Sequence, residues 1–378
     1  MHIISKNRGW FREVLPGETG KGAECYGENK GDVGRYREIG GDKMRLEDIG
    51  FYTLENNRAK NTSVNSPLWR CELLLTDRCN FNCPYCRGAK PEDKGDISKE
   101  DAFHIIDLWS EHGLKNVRFS GGEPTLWKPL YELVAYTKRK GVRRIAISTN
   151  GSADYKYYKK LISAGANDLS ISLDACCVNT GNAMSGRNDD VWFKVVNNIR
   201  NLSKLTYTTV GVVLTDSNMP ELSGILQFAS SLGVADIRII PAAQHSKHLP
   251  NTIDQDTCLS PILRYRINNI KNGRGVRGIT KNDNHKCPLV LDDMAVLNGK
   301  HFPCIIYLRE HGAEIGKING NIRSVRKERK LWFESHNTFK DDICKDNCLD
   351  VCVDYNNRVK QLNGTIQHLY NQNEVAGG

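Results

Sequence analysis

Between residues 70 and 241, short apolar runs alternate with longer amphipathic stretches. The runs are CELLLTD ending at Asp77, VRFS over 117–120, RIAIST ending at Thr149, DLSISLD ending at Asp174, then TVGVVL and DIRIIP. Each reads as a buried strand. In ISKEDAFHIIDLW, Ser98 and Asp101 stand in capping-box relation, with Ala102, Phe103, Ile105, Ile106 and Trp109 at helical spacing. Further helices are predicted within PLYELVAYTKRKG and over 157–164, 191–202 and 221–232. Six strand–helix units imply a parallel sheet, either an open doubly wound sheet or an incomplete barrel. In both, functional residues lie at the carboxyl ends of the strands. Cys79, Gly121, Asn150 and Asp174 fall there.

Outside this region the rhythm is lost. Residues 1–68 are glycine-rich and read as an irregular arm. The core is expected over 69–243, and a polar, basic linker over 244–283 with local helical character near 261–270. Residues 284–356 carry five cysteines and read as a small metal-stabilised module; 357–378 read as a tail.

The chain has 378 residues, 39% apolar and 26% charged, which fits a globular protein with a real core. No apolar run approaches ~18 residues, so no membrane-spanning helix is expected. The charged start lacks the apolar stretch of a signal peptide, and a cytoplasmic protein is expected. The net charge of +9 is compatible with a nucleotide, a phosphorylated sugar or nucleic acid. The basic residues are dispersed, and no nucleic-acid signature is present. Thirteen cysteines is an odd number, which favours metal or redox chemistry over a disulfide framework.

The first cysteine group, Cys79, Cys83 and Cys86, lies in TDRCNFNCPYCRG. Three thiolates on one short loop can ligate three irons of a cubane and leave the fourth iron free for a small molecule. A structural zinc site would want a fourth ligand close by. This motif, Tyr85, SGGEP over 120–124 and the strand ends ISTNG and SISLDA together resemble the radical S-adenosylmethionine (SAM) enzymes, over about 70–243. The resemblance implies a partial (β/α)6 TIM-type barrel, a SAM-binding 4Fe-4S cluster and SAM itself. It also implies cleavage of SAM to a 5′-deoxyadenosyl radical that abstracts a substrate hydrogen, with an electron donor such as flavodoxin or ferredoxin.

By the same resemblance, Ser120, Gly121, Gly122 and Pro124 form the loop that holds the methionine ammonium, with Glu123 beside it. Ser148 and Asn150 approach the ribose and carboxylate, Ser172 and Asp174 contact SAM or substrate, and Arg187 binds a carboxylate. The apolar tract 210–214 supplies an adenine wall.

Cys287, Gly299 and Cys304 resemble the opening of the SPASM and Twitch extensions, which hold auxiliary iron–sulfur clusters. With Cys344, Cys348 and Cys352 the group suffices for one auxiliary 4Fe-4S cluster with one cysteine to spare, a Twitch-like arrangement. Structural zinc is the alternative. Cys348 and Cys352, four apart, share a helical face. The sixteen-residue gap and the terminal pair Gly377 and Gly378 also resemble the GTP cyclase of molybdopterin biosynthesis. That family's middle cysteine and nearby arginines are replaced here by Leu289, Val290, Asp292 and Asp293.

Cys25, Cys71, Cys176, Cys177 and Cys258 remain as spectators, with a thiol hydrogen donor the alternative role for the pair after Asp174. Asp216, Arg238 and His245 are further candidates for substrate contacts. A small or nucleotide-like substrate is the leading expectation. Peptide modification of the SPASM type is the second, though residues 1–68 lack the periodicity of a leader-binding domain. A non-catalytic iron–sulfur or zinc-stabilised binding protein is the third, and the intact cysteine and GGE motifs speak against it.

Overall fold

The computed structural model describes residues 37–39, 42–44, 56–244 and 260–363. A small hairpin, β1 (Arg37–Ile39) and β2 (Asp42–Met44), stands apart from the main sheet. The six expected strands are β3 (Arg70–Leu74), β4 (Asn116–Ser120), β5 (Arg144–Thr149), β6 (Asp168–Ser172), β7 (Tyr207–Leu214) and β8 (Asp236–Pro241). Each pairs in parallel with the next, in the order of the chain. A doubly wound sheet requires the strand order to reverse at a switch point. The monotonic order instead makes this an unclosed partial barrel.

The helices follow their periodicity. Ser98 Oγ accepts from Asp101 N at 3.0 Å and opens the helix Lys99–Ser110, which buries Ala102, Ile105, Ile106 and Trp109. Asp154 caps Tyr155–Ala164 in the same way, accepting from Lys156 N at 2.7 Å. Helix Val191–Leu202 turns Val195, Val196, Ile199 and Leu202 into the core.

The barrel interior carries charge. Arg118 and Arg144 approach Asp168 at 3.6 and 3.3 Å, and Asp168 is fully buried. Burial pushes the Asp168 carboxyl up, but the surrounding arginines outweigh it and hold the group below its ordinary range.

The stretch read as a linker contains a docked helix, Pro261–Lys271, with Ile262, Leu263, Ile267 and Ile270 buried against the sheet. Asp236, at the start of β8, accepts from Ile262 N at 3.0 Å.

The cysteine-rich region continues the sheet. β9 (Asp293–Leu297) pairs in parallel with β3, and β10 (Lys300–Phe302) and β11 (Gly316–Lys317) follow antiparallel. Among the described residues the sheet therefore has nine strands, in the order β11-β10-β9-β3-β4-β5-β6-β7-β8. The turn between β9 and β10 is Asn298-Gly299, with φ of 47° and 71°. That is the two-residue turn whose positive φ angles match the twist of paired strands.

The end of the amino-terminal arm is fastened to this region. Arg58 Nε donates to Asp292 Oδ2 at 2.7 Å, Tyr355 donates to the same oxygen at 2.5 Å, and Arg70 pairs with Asp293 at 2.7 Å. The two acids that set this chain apart in the cysteine gap thus hold structural ion pairs.

Candidate functional site: the barrel mouth and the carboxyl-terminal cysteines

Cys79, Cys83 and Cys86 lie on the loop that follows β3, with Cys79 and Cys86 exposed and Cys83 half-buried. The loop is pinned on both sides. Asp96 pairs with Arg78 at 2.6 Å and accepts from Thr76 Oγ1 at 2.6 Å. Gly122 N donates to Thr76 O at 2.7 Å, and Glu123 N to Arg78 O at 2.8 Å. A Cβ on Gly121 would lie 2.3 Å from Thr76 O, and one on Gly122 2.3 Å from Arg78 O. These glycines are therefore needed where two backbones meet. On the far side, Asn82 N donates to Ser185 O at 2.9 Å.

Over this loop opens a cleft of about 280 Å³. Of the residues expected from the sequence, Cys79, Cys83, Tyr85, Cys86, Ser120, Gly121, Gly122, Ser148, Asn150, Ser172 and Asp174 all line it. Its floor is polar. Ser120 Oγ donates to Glu72 Oε1 at 3.0 Å, and Ser148 Oγ accepts from Arg118 Nη1 at 2.9 Å. One wall is apolar, from Phe81, Met184, Trp192 and Val195.

Three expected residues are placed elsewhere. Glu123 is fully buried behind the wall. Its carboxylate accepts from Thr149 Oγ1, Thr125 Oγ1 and Asn150 N, each at 2.7 Å, and so joins the loops after β4 and β5. Burial outweighs these bonds and raises its pKa. Pro124 is buried at the start of the turn Pro124–Leu126. Arg187 pairs with Asp189 and donates to Asn80 O at 3.0 Å, so it steadies the cysteine loop from outside. The tract 210–214 also departs from expectation, because Val210, Val212 and Leu214 face the core.

Tyr85 donates its hydroxyl to Asp174 Oδ2, and Asp174 Oδ1 accepts from Val213 N at 2.6 Å. Burial pushes the Asp174 carboxyl up to about 6. The pair ties the third-cysteine end of the loop to β7. Asn150 Nδ2 donates to Asn80 Oδ1 at 2.8 Å at the other end.

Sequence reasoning missed Glu72 and Arg309, which both line the cleft. A charged residue inside the apolar run CELLL was a signal for Glu72. Nothing local marks Arg309.

Cys287, Cys304, Cys344, Cys348 and Cys352 converge, each half-buried. Cys352 lies within electrostatic reach of Cys287, Cys304 and Cys348, and Cys344 within reach of Cys287 and Cys304. Burial pushes the Cys287 thiol up to about 11. Crowded, buried thiols resist ionisation unless a cation meets them. A cationic cluster core suits this donor set. Cys344 Sγ also lies 3.7 Å from His336 Nε2, with Asp341 beside them.

Among the described residues, the triplets of candidate ligand atoms within 4.8 Å of one another are His336, Asp341 and Cys344, and Cys176, Cys177 and Glu221. Cys79, Cys83 and Cys86 are not such a triplet.

Cys71 is buried in the barrel core, where burial lifts its thiol to about 12. Cys176 and Cys177 lie off the cleft lining, with Cys176 Sγ 3.8 Å from Glu221 Oε2. Asp216 is exposed, and Arg238 stands on β8 near Asp168. Cys25, His245, Cys258, Gly377 and Gly378 lie outside the described residues.

Residues 73–229 match the family model described as the Radical SAM superfamily. The chain is 30% identical over 177 residues to a "Probable GTP 3',8-cyclase" of Saccharolobus islandicus, which covers 46% of this chain and 57% of that protein. The chain thus spans little more than half the length of such relatives. Among solved structures it is similar to Streptococcus suis SuiB bound to precursor peptide SuiA, with a TM-score of 0.52 at 14% identity over 75% of this chain and 68% of that one. It is also similar to native anSMEcpe with bound AdoMet, with a TM-score of 0.52 at 15% identity over 80% and 95%. At such identities the likeness concerns the fold. No helix among the described residues is long and apolar enough to cross a membrane.

Proposed function

On the premise that residues 73–229 belong to the radical SAM superfamily, we propose that this chain is a radical SAM enzyme acting on a small or nucleotide-like substrate. The observation that carries the reading is one cleft that gathers three loop cysteines, the paired glycines and the polar ends of β4, β5 and β6. When bound, the 4Fe-4S cluster and SAM supply reductive cleavage of a sulfonium and a 5′-deoxyadenosyl radical that takes hydrogen from the substrate.

The chain's own residues hold and shield. Cys79, Cys83 and Cys86 ligate the cluster on a loop pinned by Asp96 and the Gly121–Gly122 backbone. Phe81, Met184 and Trp192 offer an apolar wall for a flat ring and keep water from it. Ser120, Ser148, Ser170 and Ser172 offer hydroxyls along the floor.

A nucleotide-like substrate is favoured by the name of the sequence relatives, GTP 3',8-cyclase. The acids in the cysteine gap, Asp292 and Asp293, are engaged by Arg58 and Arg70. Four of the five carboxyl-terminal cysteines hold an auxiliary 4Fe-4S cluster. A flavodoxin or ferredoxin in the cytoplasm delivers the electron.

Anaerobic reconstitution is expected to give about eight irons per chain, four in each cubane. Reduction with SAM is expected to release 5′-deoxyadenosine. About four irons, with zinc at the carboxyl-terminal cysteines, would replace the auxiliary cluster. No release with GTP or with any other candidate substrate would overturn the enzyme reading.

A further inference from the structure

Arg309 ends the short helix Ile305–Arg309, which opens at Cys304. From there it reaches the barrel mouth, lines the cleft and donates Nη2 to Gly121 O at 2.7 Å. Its neighbours at this seam are already engaged. Glu310 pairs with Arg87 at 2.7 Å, and His311 Nε2 lies 3.1 Å from Arg87 O. The acids of the cleft are engaged too. Glu72 pairs with Arg70 at 3.1 Å and accepts from Ser120, while Asp174 accepts from Tyr85 and Val213 N.

Arg309 differs from them all. Its charge meets no carboxylate among the described residues, and one bond to a carbonyl uses one of five N–H donors. A half-buried guanidinium fork with no counter-charge, on the wall of a cleft, is the geometry that takes a planar or tetrahedral oxyanion. Arg187, the arginine that the sequence pointed to for this task, is engaged by Asp189 and lies off the cleft.

We propose that Arg309 is the oxyanion-binding residue of the cleft, supplied to the barrel from the cysteine-rich end of the chain. It binds a carboxylate or phosphate of a ligand seated over the cysteine loop. The inference rests on the radical SAM reading. Two ligands carry such a group, the methionine end of SAM and an acidic substrate.

The test compares the reconstituted parent with Arg309→Ala, Arg309→Lys and Glu310→Gln at equal iron content. The readouts are the affinities for SAM, for decarboxylated SAM and, on SAM-loaded protein, for GTP as the acidic probe. Loss of a charge-assisted hydrogen bond is expected to weaken binding by about tenfold or more. If Arg309→Ala weakens SAM but not its decarboxylated analogue, the oxyanion is the SAM carboxylate. If it spares SAM and weakens GTP, the oxyanion belongs to the substrate. Arg309→Lys is expected to recover part of the loss, because it keeps charge without the fork.

SAM and GTP affinities of Arg309→Ala both within about twofold of the parent would overturn the proposal. So would an equal loss in Glu310→Gln, which would mean that the seam has merely loosened. A parent that holds its iron yet neither binds SAM nor releases 5′-deoxyadenosine would sink the enzyme reading instead.

Discussion

The two cysteine sites are built in opposite ways. At the barrel mouth, three cysteines come from one loop within eight residues, and the fold only has to keep that loop in place. At the other site, five cysteines arrive from separate elements: the turn Pro288–Leu291, the start of Ile305–Arg309, the helix Asp342–Asn347 with its end, and the helix Asp350–Asn363. Here the thiols meet only when the hairpin, the sheet and the helices have packed. The first site is a local motif on a scaffold. The second is a product of tertiary structure, and two of its cysteines, Cys287 and Cys352, pack against the core there.

The sharpest way to break this contrast is Cys83→Ala. It is expected to remove about four irons and all release of 5′-deoxyadenosine, while thermal unfolding shifts little. A large loss of stability would show that the local site is structural as well. Next comes Cys304→Ala. It should remove about four irons, lower the unfolding temperature, and leave SAM cleavage in the absence of substrate. Iron assays with a 5′-deoxyadenosine assay separate the two variants, and loss of cleavage in Cys304→Ala would join the sites into one unit.

A glycine from each region gives a smaller, graded test. Gly122→Ala puts a Cβ 2.3 Å from Arg78 O and is expected to cost about 1–3 kcal/mol in thermal or denaturant unfolding. Gly299→Ala meets nothing within 4 Å and strains only its φ of +71°, for about 1 kcal/mol. Equal effects would mean that the glycine pair is not gripping the cysteine loop.

The last test is silent at neutral pH and shows only in acid. His301 is fully buried in β10, and burial followed by the Arg329 charge lowers its pKa to about 3. The ring is therefore neutral, donating Nε2–H to Glu328 at 2.8 Å and accepting at Nδ1 from Arg329 at 3.3 Å. A folded-state pKa below that of the free side chain gives stability that is complete above about 6.5 and is lost as the pH falls toward 3. His301→Gln should flatten that part of the stability profile. An unchanged slope would show that His301 is not the group being protonated.

The same contrast explains what was legible. Strands β3 to β8 and their helices follow from apolar periodicity, because each covers one layer with the next. Ser98 is the clearest local signal that the structure realises. That the three loop cysteines would line one cleft was readable because they stand within eight residues of one another after a strand end. Glu123 and Arg187 were not, since proximity in a motif does not say which way a side chain turns. Arg309 was beyond reach, because its place depends on a contact across 188 residues. The hairpin at Asn298-Gly299 carried an ordinary turn signal between apolar runs, and the cysteines around it drew the reading toward an irregular module.

The pairing of β9 with β3 also sets an order of events for the growing chain. Arg70 and Asp293 are partners in that ladder, 223 residues apart. During synthesis β3 can pair with β4 early, but its other edge stays bare until β9 has left the ribosome. A bare edge next to an apolar strand invites pairing with other chains. Closing so long a loop is slow for topological reasons. The nascent chain thus carries a bare edge on β3 from the emergence of that strand until the emergence of β9.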